Sequence, residues 1–286
     1  MASFIIHTLS AEMLLKELEN KYQIALSQEL TNKFLLGNLI VDSLRIDMNI
    51  PQNLTEQEQL DYKMYLKRKN REEKVSTHFR NPSNEDNILK LPEPSLFIEK
   101  YRNLLSQDIS VLGYLFHLYT DKLFFSYLFP KTFISLKNDG SIATKEKESH
   151  IIRILKSNEE VLDKVFWTGT SPLSIYSDYT ILNKLLLEHY GTSFNADNLI
   201  EFAINNFKNP GIKEVDYSKI TEIIYKTKKF IEDSYSSEKI VLNVFNEEIV
   251  KEFINLVATS FLDEYEYLFS PYIQKATNNI KKGKVI

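Results

Sequence analysis

Apolar residues recur every three to four positions along most of the chain, whereas the strict alternation typical of half-buried strands is rare. Glycine interrupts such patterns, and the 286 residues include only 7 glycines. The spacing puts apolar side chains on one face of each helix and therefore predicts an all-α, multi-helix bundle. Helices are predicted near residues 8–20, 31–46, 56–72, 94–107, 108–129, 145–166, 171–190, 195–208, 214–235 and 244–278.

Two segments rich in turn-forming residues are predicted to be loops, at 81–86 and at 137–141. Neither resembles a linker between domains. We predict a metal-binding helical core over 1–194 and a C-terminal helical extension over 195–286 that packs on it as one domain. An independent domain beginning near residue 195 is the alternative.

Capping residues support some of these helices. Ser171 before Pro172 is a favoured helix start, and Gly191 is a favoured stop. Asn195 or Asp197 is expected to cap the next helix.

The most apolar segment spans residues 111–129 and contains His117, Asp121 and Lys122. Charges at the centre of a membrane span are costly, so this segment is predicted to be a buried helix, and no stable membrane insertion is expected. The first residues lack the cationic start and long apolar core of a signal peptide. We therefore expect a cytoplasmic protein.

Composition narrows the possible chemistry. The chain has no cysteine, which excludes disulfides, thiolate zinc sites, iron–sulfur clusters and thiol nucleophiles. Any metal site must use His, Asp and Glu. A net charge of −4 with both signs interspersed gives no large basic surface, so no nucleic-acid partner is expected. The oligomeric state is left open.

The strongest local motif is His117 followed four residues later by Asp121. Residues at this spacing lie on one face of a helix, where an imidazole and a carboxylate can bind one metal ion. A buried carboxylate is costly unless a cation or another partner compensates it. The face that carries both residues is otherwise apolar or small, with Gly113, Tyr114, Phe124 and Leu128.

Similar polar residues interrupt apolar faces elsewhere in the first half of the chain. His7 begins an apolar stripe, Asp42 ends the apolar run 34–42, and His78 precedes Phe79 at the start of a loop. Each has a simpler explanation taken alone, because buried histidines are usually hydrogen-bonded. Asp42 would then pair with an arginine, either Arg45 or Arg80.

Taken together, the three histidines and two aspartates favour a different interpretation. If the helices that carry them converge, their side chains form one buried metal site. This hypothesis assigns five metal ligands: His7, Asp42, His78, His117 and Asp121.

The order of these motifs resembles the zinc-dependent phospholipase C family and its S1/P1-nuclease relatives. That family has an early histidine, an apolar helix ending in aspartate, a histidine beside an aromatic residue, and a glycine-led helix with His-x-x-x-Asp. The corresponding elements here are His7, the segment 34–42, His78-Phe79 and the segment 113–121.

The resemblance covers about half of the chain and implies an all-α phospholipase C/P1 nuclease-like bundle whose metal ions activate water on phosphate esters. It implies that Asp42, His78, His117 and Asp121 hold one ion. His7 would join that ion or help Asp121 to hold a second. Zinc fits these ligands, and manganese or iron is the alternative.

The chain departs from the family pattern in three places. Where secreted members begin with a tryptophan whose amine binds metal, this chain begins Met1-Ala2. No histidine follows His-x-x-x-Asp in 122–127, and the later His-x-x-x-Glu pair is absent, since Ile154 follows His150 at that spacing. The resemblance therefore implies one ion, or two at most.

The resulting hypothesis is a metal-dependent phosphoesterase or phosphodiesterase, with a small phosphate ester or a phospholipid headgroup as its substrate. Asp42 or Asp178 would act as the general base, and Arg80 or Lys122 would stabilise phosphoryl charge. Asp178 has other interpretations: a late ligand, an orienting group, or a carboxylate that suits a helix N-terminus, which we favour.

Two alternatives remain. One is an HD-type nucleotide phosphohydrolase, although no His-Asp dipeptide is present. The other is a catalytically inactive helical binding protein that keeps the fold.

Overall fold

The computed structural model of the protein describes residues 2–44, 51, 53–84, 86–167, 171–236 and 241–281. These residues are mostly helical, which confirms the helical character predicted from the sequence. The longer helices are α1 (Phe4–Tyr22), α2 (Gln28–Ile40), α3 (Glu56–Thr77), α4 (Pro94–Leu105), α5 (Ile109–Leu123), α7 (Ile175–Tyr190), α8 (Ala196–Asn206), α9 (Ile220–Tyr235), α10 (Glu247–Tyr265) and α11 (Ser270–Lys281). A single turn, α6 (Asp163–Phe166), lies between α5 and α7.

A small antiparallel sheet replaces the helix predicted at 145–166, so this prediction is wrong. Its strands are β1 (Phe133–Leu136), β2 (Ile151–Ile154) and β3 (Glu160–Leu162), in the order β1-β2-β3. Phe133 lies opposite Ile154, and both side chains are buried together with Ile152. The fold is therefore mostly helical with one sheet, rather than all-α.

The sequence around β2 has two possible periodicities. Ile151, Ile152, Ile154 and Leu155 fit a helical spacing, but Ile152 and Ile154 also alternate as in a strand. Three β-branched residues in four positions favour the strand. Asn158 adopts a left-handed conformation, with φ of 59°, and turns the chain from β2 into β3.

Side-chain caps define where several helices begin. Asn195 caps α8 as predicted, whereas the N-cap of α7 is Ser174 and not Ser171, because the Ser174 side chain accepts the Tyr176 N–H. Gly191, with φ of 67°, ends α7 as predicted.

Helix α5 lies at the centre of the core. Every residue from Ile109 to Asp121 is buried. Core residues come from both 1–194 and 195–286, and they form one continuous hydrophobic cluster. Among the described residues, no helix combines the length and the apolar character needed to cross a membrane.

Helices α2 and α5 cross with their backbones in direct contact. A Cβ atom on Gly37 would lie 1.9 Å from the Ser110 carbonyl oxygen, and one on Gly113 would lie 2.1 Å from the Phe34 carbonyl oxygen. Only glycine fits at either position. This close crossing brings the last turn of α2 next to the middle of α5.

Candidate metal centre

The five residues predicted to bind metal come from four separate parts of the fold. His7 lies in the first turns of α1, Asp42 follows α2, His78 ends α3, and His117 and Asp121 lie one turn apart in α5. All five are buried: Asp42 is 6% exposed, and the others are at most 1% exposed. The structure therefore brings together residues up to 114 positions apart in the chain, from His7 to Asp121.

Asp121 lies between two imidazoles. Its Oδ1 atom is 3.4 Å from His7 Nε2, and its Oδ2 atom is 3.4 Å from His78 Nε2. Both distances exceed the usual hydrogen-bond range of about 2.7–3.2 Å. However, two ligand atoms about 2.1 Å from a tetrahedral zinc ion are about 3.4 Å apart. The spacing fits shared metal ligands better than direct hydrogen bonds.

Asp42 and His117 complete the cluster. Asp42 Oδ1 lies 3.9 Å from His78 Nε2. The His117 ring stacks on the His7 ring with centroids 3.7 Å apart and an angle of 4°, and it meets the His78 ring nearly edge-on. Two sets of three residues could each hold a metal ion, because the ligand atoms within each set lie within 4.8 Å of one another. Both sets include His117. The sets are His7, His117 and Asp121, and Asp42, His78 and His117.

The backbone of α2 orients His117. Its Nδ1–H donates to the Asn38 carbonyl oxygen at 2.8 Å. This carbonyl belongs to the last turn of α2, where carbonyl groups lack a helical partner. The bond leaves the Nε2 lone pair of His117 directed at the cluster, as in many metal-binding histidines. The Asn38 side chain also donates to the His7 carbonyl oxygen at 3.0 Å and so connects α2 to α1.

Two neighbouring residues hold His78. The Thr77 hydroxyl lies 2.8 Å from His78 Nδ1, and the Tyr114 hydroxyl donates to the Thr77 carbonyl oxygen at 2.5 Å. Phe79 has a positive φ of 51° and packs against Phe97 and Tyr114. The end of α3 is therefore fixed against α5, with His78 Nε2 directed toward the carboxylates.

Several buried polar atoms of the cluster have no hydrogen-bond partner among the described residues. They are both ring nitrogens of His7, the Nε2 atoms of His78 and His117, and Oδ2 of Asp121. Buried polar atoms are rarely left unpaired, because desolvation then goes uncompensated. Unpaired imidazole nitrogens and a carboxylate oxygen this close together match the donor types of a zinc ion.

The protonation states also suit a cation. Burial lowers the pKa of His117 well below its usual value, with the nearby His7 adding to this effect, and burial also lowers the pKa of His78. Burial raises the pKa of Asp121, but the interaction of its carboxylate with the neighbouring His7 and His78 imidazoles outweighs burial and holds that pKa well below its usual value. Near neutral pH the cluster thus presents neutral His78 and His117 beside an ionised Asp121, the forms that bind metal.

The residues assigned catalytic roles from the sequence have different positions. Arg80 is buried, its guanidinium lies 5.9 Å from the Phe125 ring, and its charge disfavours protonation of His78. Asp42 lies within the cluster. Arg45, its alternative partner, lies outside the described residues.

Asp178 is occupied elsewhere. It lies in the first turn of α7, as predicted, and its carboxylate accepts the backbone N–H groups of Asn243, Val244 and Phe245 at 2.6 to 2.9 Å. We therefore interpret Asp178 as the anchor of the 243–245 segment and not as a general base. It belongs to neither metal-capable set of the described residues.

Sequence reasoning missed the groups that orient the ligands: Asn38, Thr77, Tyr114 and the backbone of Ala2, whose N–H donates to Asp121 Oδ1 at 2.9 Å. A sequence signal existed for one of them, because Asn38 is a polar residue in the middle of the apolar run 34–42. The other two histidines, His150 and His189, are exposed.

No protein-family model matches the chain, and neither a curated protein nor a solved structure matches it. The resemblance to the zinc-dependent phospholipase C family therefore rests on the order of the motifs, and it stays a hypothesis.

Proposed function

We propose that this protein is a metal-dependent phosphoric ester hydrolase with a phospholipase C/P1 nuclease-like helical bundle. The observation that supports this most is the 3.4 Å spacing of Asp121 from His7 and from His78, combined with unpaired ring nitrogens. The five residues singled out in the sequence, in four separate parts of the fold, form two overlapping sets of possible ligands that share His117. A chance assembly of buried core histidines would not leave so many ligand atoms without partners.

Asp42, His78, His117 and Asp121 would hold one ion, and His7 would join it or help Asp121 to hold a second. A bound zinc ion supplies a coordinated water of lowered pKa and polarises a phosphoryl oxygen. Manganese or iron is compatible with the same ligands.

Other residues would orient the ligands, stabilise charge on the substrate and accept a proton. The Asn38 carbonyl and the Thr77 hydroxyl orient His117 and His78. Arg80 adds positive charge near His78 and would stabilise the charge that develops on a phosphoryl group. Asp42 is the most exposed of the five residues, and if the other residues hold the ion without it, its carboxylate would take a proton from an attacking water. The substrate would be a small phosphate ester or a phospholipid headgroup.

The test is elemental analysis of protein purified without an affinity metal, together with the variants His117→Ala and Asp121→Asn. The matched controls are His150→Ala and Asp197→Asn, because both residues are exposed. We expect about one zinc, manganese or iron ion in the wild type and in both controls, and loss of the ion in both cluster variants. Equal metal content in all five proteins would contradict the metal site.

Activity is then measured on a bis(nitrophenyl) phosphate diester, a nitrophenyl phosphate monoester and nitrophenylphosphorylcholine. We expect hydrolysis of at least one that stops on chelation and returns when zinc is added. A metal-loaded protein that hydrolyses none of the three would contradict the catalytic proposal.

One observation favours a second candidate, a helical binding protein with a structural ion. Catalytic zinc sites keep one position open, whereas structural sites are closed, and four of the five ligands here are at most 1% exposed. In that case chelation would lower the melting temperature, and no ester in the panel would be hydrolysed.

A further inference from the structure

The Nδ1 atoms of His117 and His78 have partners of different chemistry. His117 Nδ1 faces the Asn38 carbonyl, and His78 Nδ1 faces the Thr77 hydroxyl, each at 2.8 Å. A carbonyl oxygen only accepts hydrogen bonds, whereas a hydroxyl group both donates and accepts. The two imidazoles therefore differ in how strictly their tautomers are set.

His117 has one favourable neutral tautomer. Its Nδ1 must hold the proton, because a lone pair there would face the lone pairs of the Asn38 carbonyl oxygen. Its Nε2 lone pair is thus available to a cation at all times. This ligand is set in advance by the close crossing of α2 and α5.

His78 has two favourable neutral tautomers. Its Nε2 lies 3.4 Å from Asp121 Oδ2 and 3.9 Å from Asp42 Oδ1. Without a cation, a proton on Nε2 is favoured because it faces two carboxylates, and the Thr77 hydroxyl then donates to Nδ1. With a cation on Nε2, the proton must be on Nδ1, and the Thr77 hydroxyl must accept it.

We propose that the Thr77 hydroxyl is a positioning group that lets His78 exchange tautomers when a cation enters the site. The inference rests on the proposed metal site and goes beyond it by distinguishing a preset ligand, His117, from an exchanging one, His78. The exchange moves one proton from Nε2 to Nδ1 and leaves the charge of His78 unchanged.

The surroundings of Thr77 suit this role. Its side chain is 2% exposed, so bulk water does not compete for His78 Nδ1. Its carbonyl is held by the Tyr114 hydroxyl, which fixes the backbone while the hydroxyl group can rotate.

The first test is ¹⁵N NMR of the histidine side chains in full-length protein, before and after zinc is added, at about pH 7.5, above the usual histidine pKa. We expect His78 to have its proton on Nε2 before zinc and on Nδ1 after it. His117 should have its proton on Nδ1 in both states. A proton on His78 Nδ1 in the metal-free protein would overturn the exchange.

The second test compares Thr77→Val, Thr77→Ser and Tyr114→Phe in zinc titrations and thermal melts. Valine keeps the shape of threonine without the hydroxyl, so we expect zinc affinity to fall about 10–100-fold, the usual effect of removing a group that orients a ligand. Serine restores the hydroxyl and should restore both the affinity and the NMR exchange. Tyr114→Phe removes the bond to the Thr77 carbonyl and should lower the melting temperature without changing either tautomer.

The outcomes separate this inference from the proposed function. A wild-type protein that takes up no zinc overturns both. A wild type that binds zinc, with His78 in the same tautomer before and after, overturns only the exchange. Unchanged affinity in Thr77→Val also overturns it, and if that variant fails to fold, the wild-type NMR result and Thr77→Ser decide the question.

Discussion

Asp121 in α5 and Asp178 in α7 are both completely buried, yet their surroundings differ in kind. Asp178 accepts three backbone N–H groups at 2.6 to 2.9 Å, which use both of its oxygens. Asp121 accepts one N–H, from Ala2, and otherwise faces two imidazoles at 3.4 Å. Burial alone therefore does not show how the charge of a carboxylate is compensated.

The distinction comes from how completely the charge is compensated. Backbone amides compensate Asp178 fully, and in doing so they fix the 243–245 segment against α7. Asp121 has an unpaired oxygen and lies near imidazole nitrogens that are unpaired as well. A bound cation would compensate the charge of Asp121, whereas at Asp178 it would have no role.

Replacing aspartate with asparagine at residue 178 and at residue 121 is the strongest test of this difference. Asp178→Asn removes the negative charge that all three N–H groups face, and it replaces one accepting oxygen with an amide NH₂ group that cannot accept, so at least one N–H group loses its partner. We expect it to lower the free energy of unfolding by about 4 kcal/mol, because hydrogen bonds to a charged group contribute about 1.5–3 kcal/mol each. Chemical denaturation in the presence of a chelator measures this change.

Asp121→Asn should change the metal-free free energy of unfolding by less than about 1 kcal/mol, because asparagine still accepts the Ala2 N–H. It should abolish metal uptake. Similar destabilisation by both variants would remove the distinction between the two aspartates.

The next largest effect is expected for Gly113→Ala. Its Cβ would lie 2.1 Å from the Phe34 carbonyl oxygen, so α2 and α5 must separate. We expect a loss of roughly 3 kcal/mol from overpacking, and weaker metal binding because the Asn38 carbonyl moves away from His117. Denaturation and zinc titration measure the two effects.

Gly140→Ala is the matched control for that substitution. Nothing lies within 4 Å of a Cβ there, although φ is 82°. The control should lose about 1 kcal/mol from backbone strain and keep its metal. Full metal affinity in Gly113→Ala would mean that the helix crossing does not position the site.

The pH dependence of the metal-free protein sharpens the comparison further. Burial lowers the pKa values of His78 and His117, so the unfolded chain takes up protons below about pH 6.5 while the folded protein does not. The contribution of each neutral histidine to the free energy of unfolding is fully present above that pH. It falls as the pH falls, by about 1.4 kcal/mol per pH unit for each histidine.

Denaturation series at several pH values would measure that slope, and His117→Gln should remove about half of it. A free energy of unfolding that stays constant between about pH 5 and 6.5 would contradict the neutral, buried state of these rings.

The smallest expected effect is that of Ser3→Ala. The Ser3 hydroxyl caps α1 by accepting the Ile6 N–H and donates to Asn183 Oδ1. Losing the cap should lower the free energy of unfolding by about 1 kcal/mol. Since Ser3 follows Ala2, whose N–H binds Asp121, metal affinity should fall as well, and an unchanged affinity would show that the start of α1 is not needed at the site.

The spacing of apolar residues was sufficient to predict most helices but did not predict the sheet. Long segments such as 94–107 repeat the helical pattern over several turns, so one interpretation dominates. The run Ile151–Ile154 is too short for that, and its strand character depends on pairing with Phe133–Leu136, nearly 20 residues earlier. Short apolar segments acquire their structure from partners that a local pattern does not contain.

The residues of the candidate site show the same contrast. Local spacing identifies the chemically unusual residues, because His7, Asp42, His117 and Asp121 interrupt apolar faces. Local spacing does not show that these residues lie close together while Asp178 lies apart, or that Asn38 and Thr77 orient the rings. These contacts depend on helix crossings such as the one at Gly37 and Gly113, because packing between distant segments sets the geometry of a crossing.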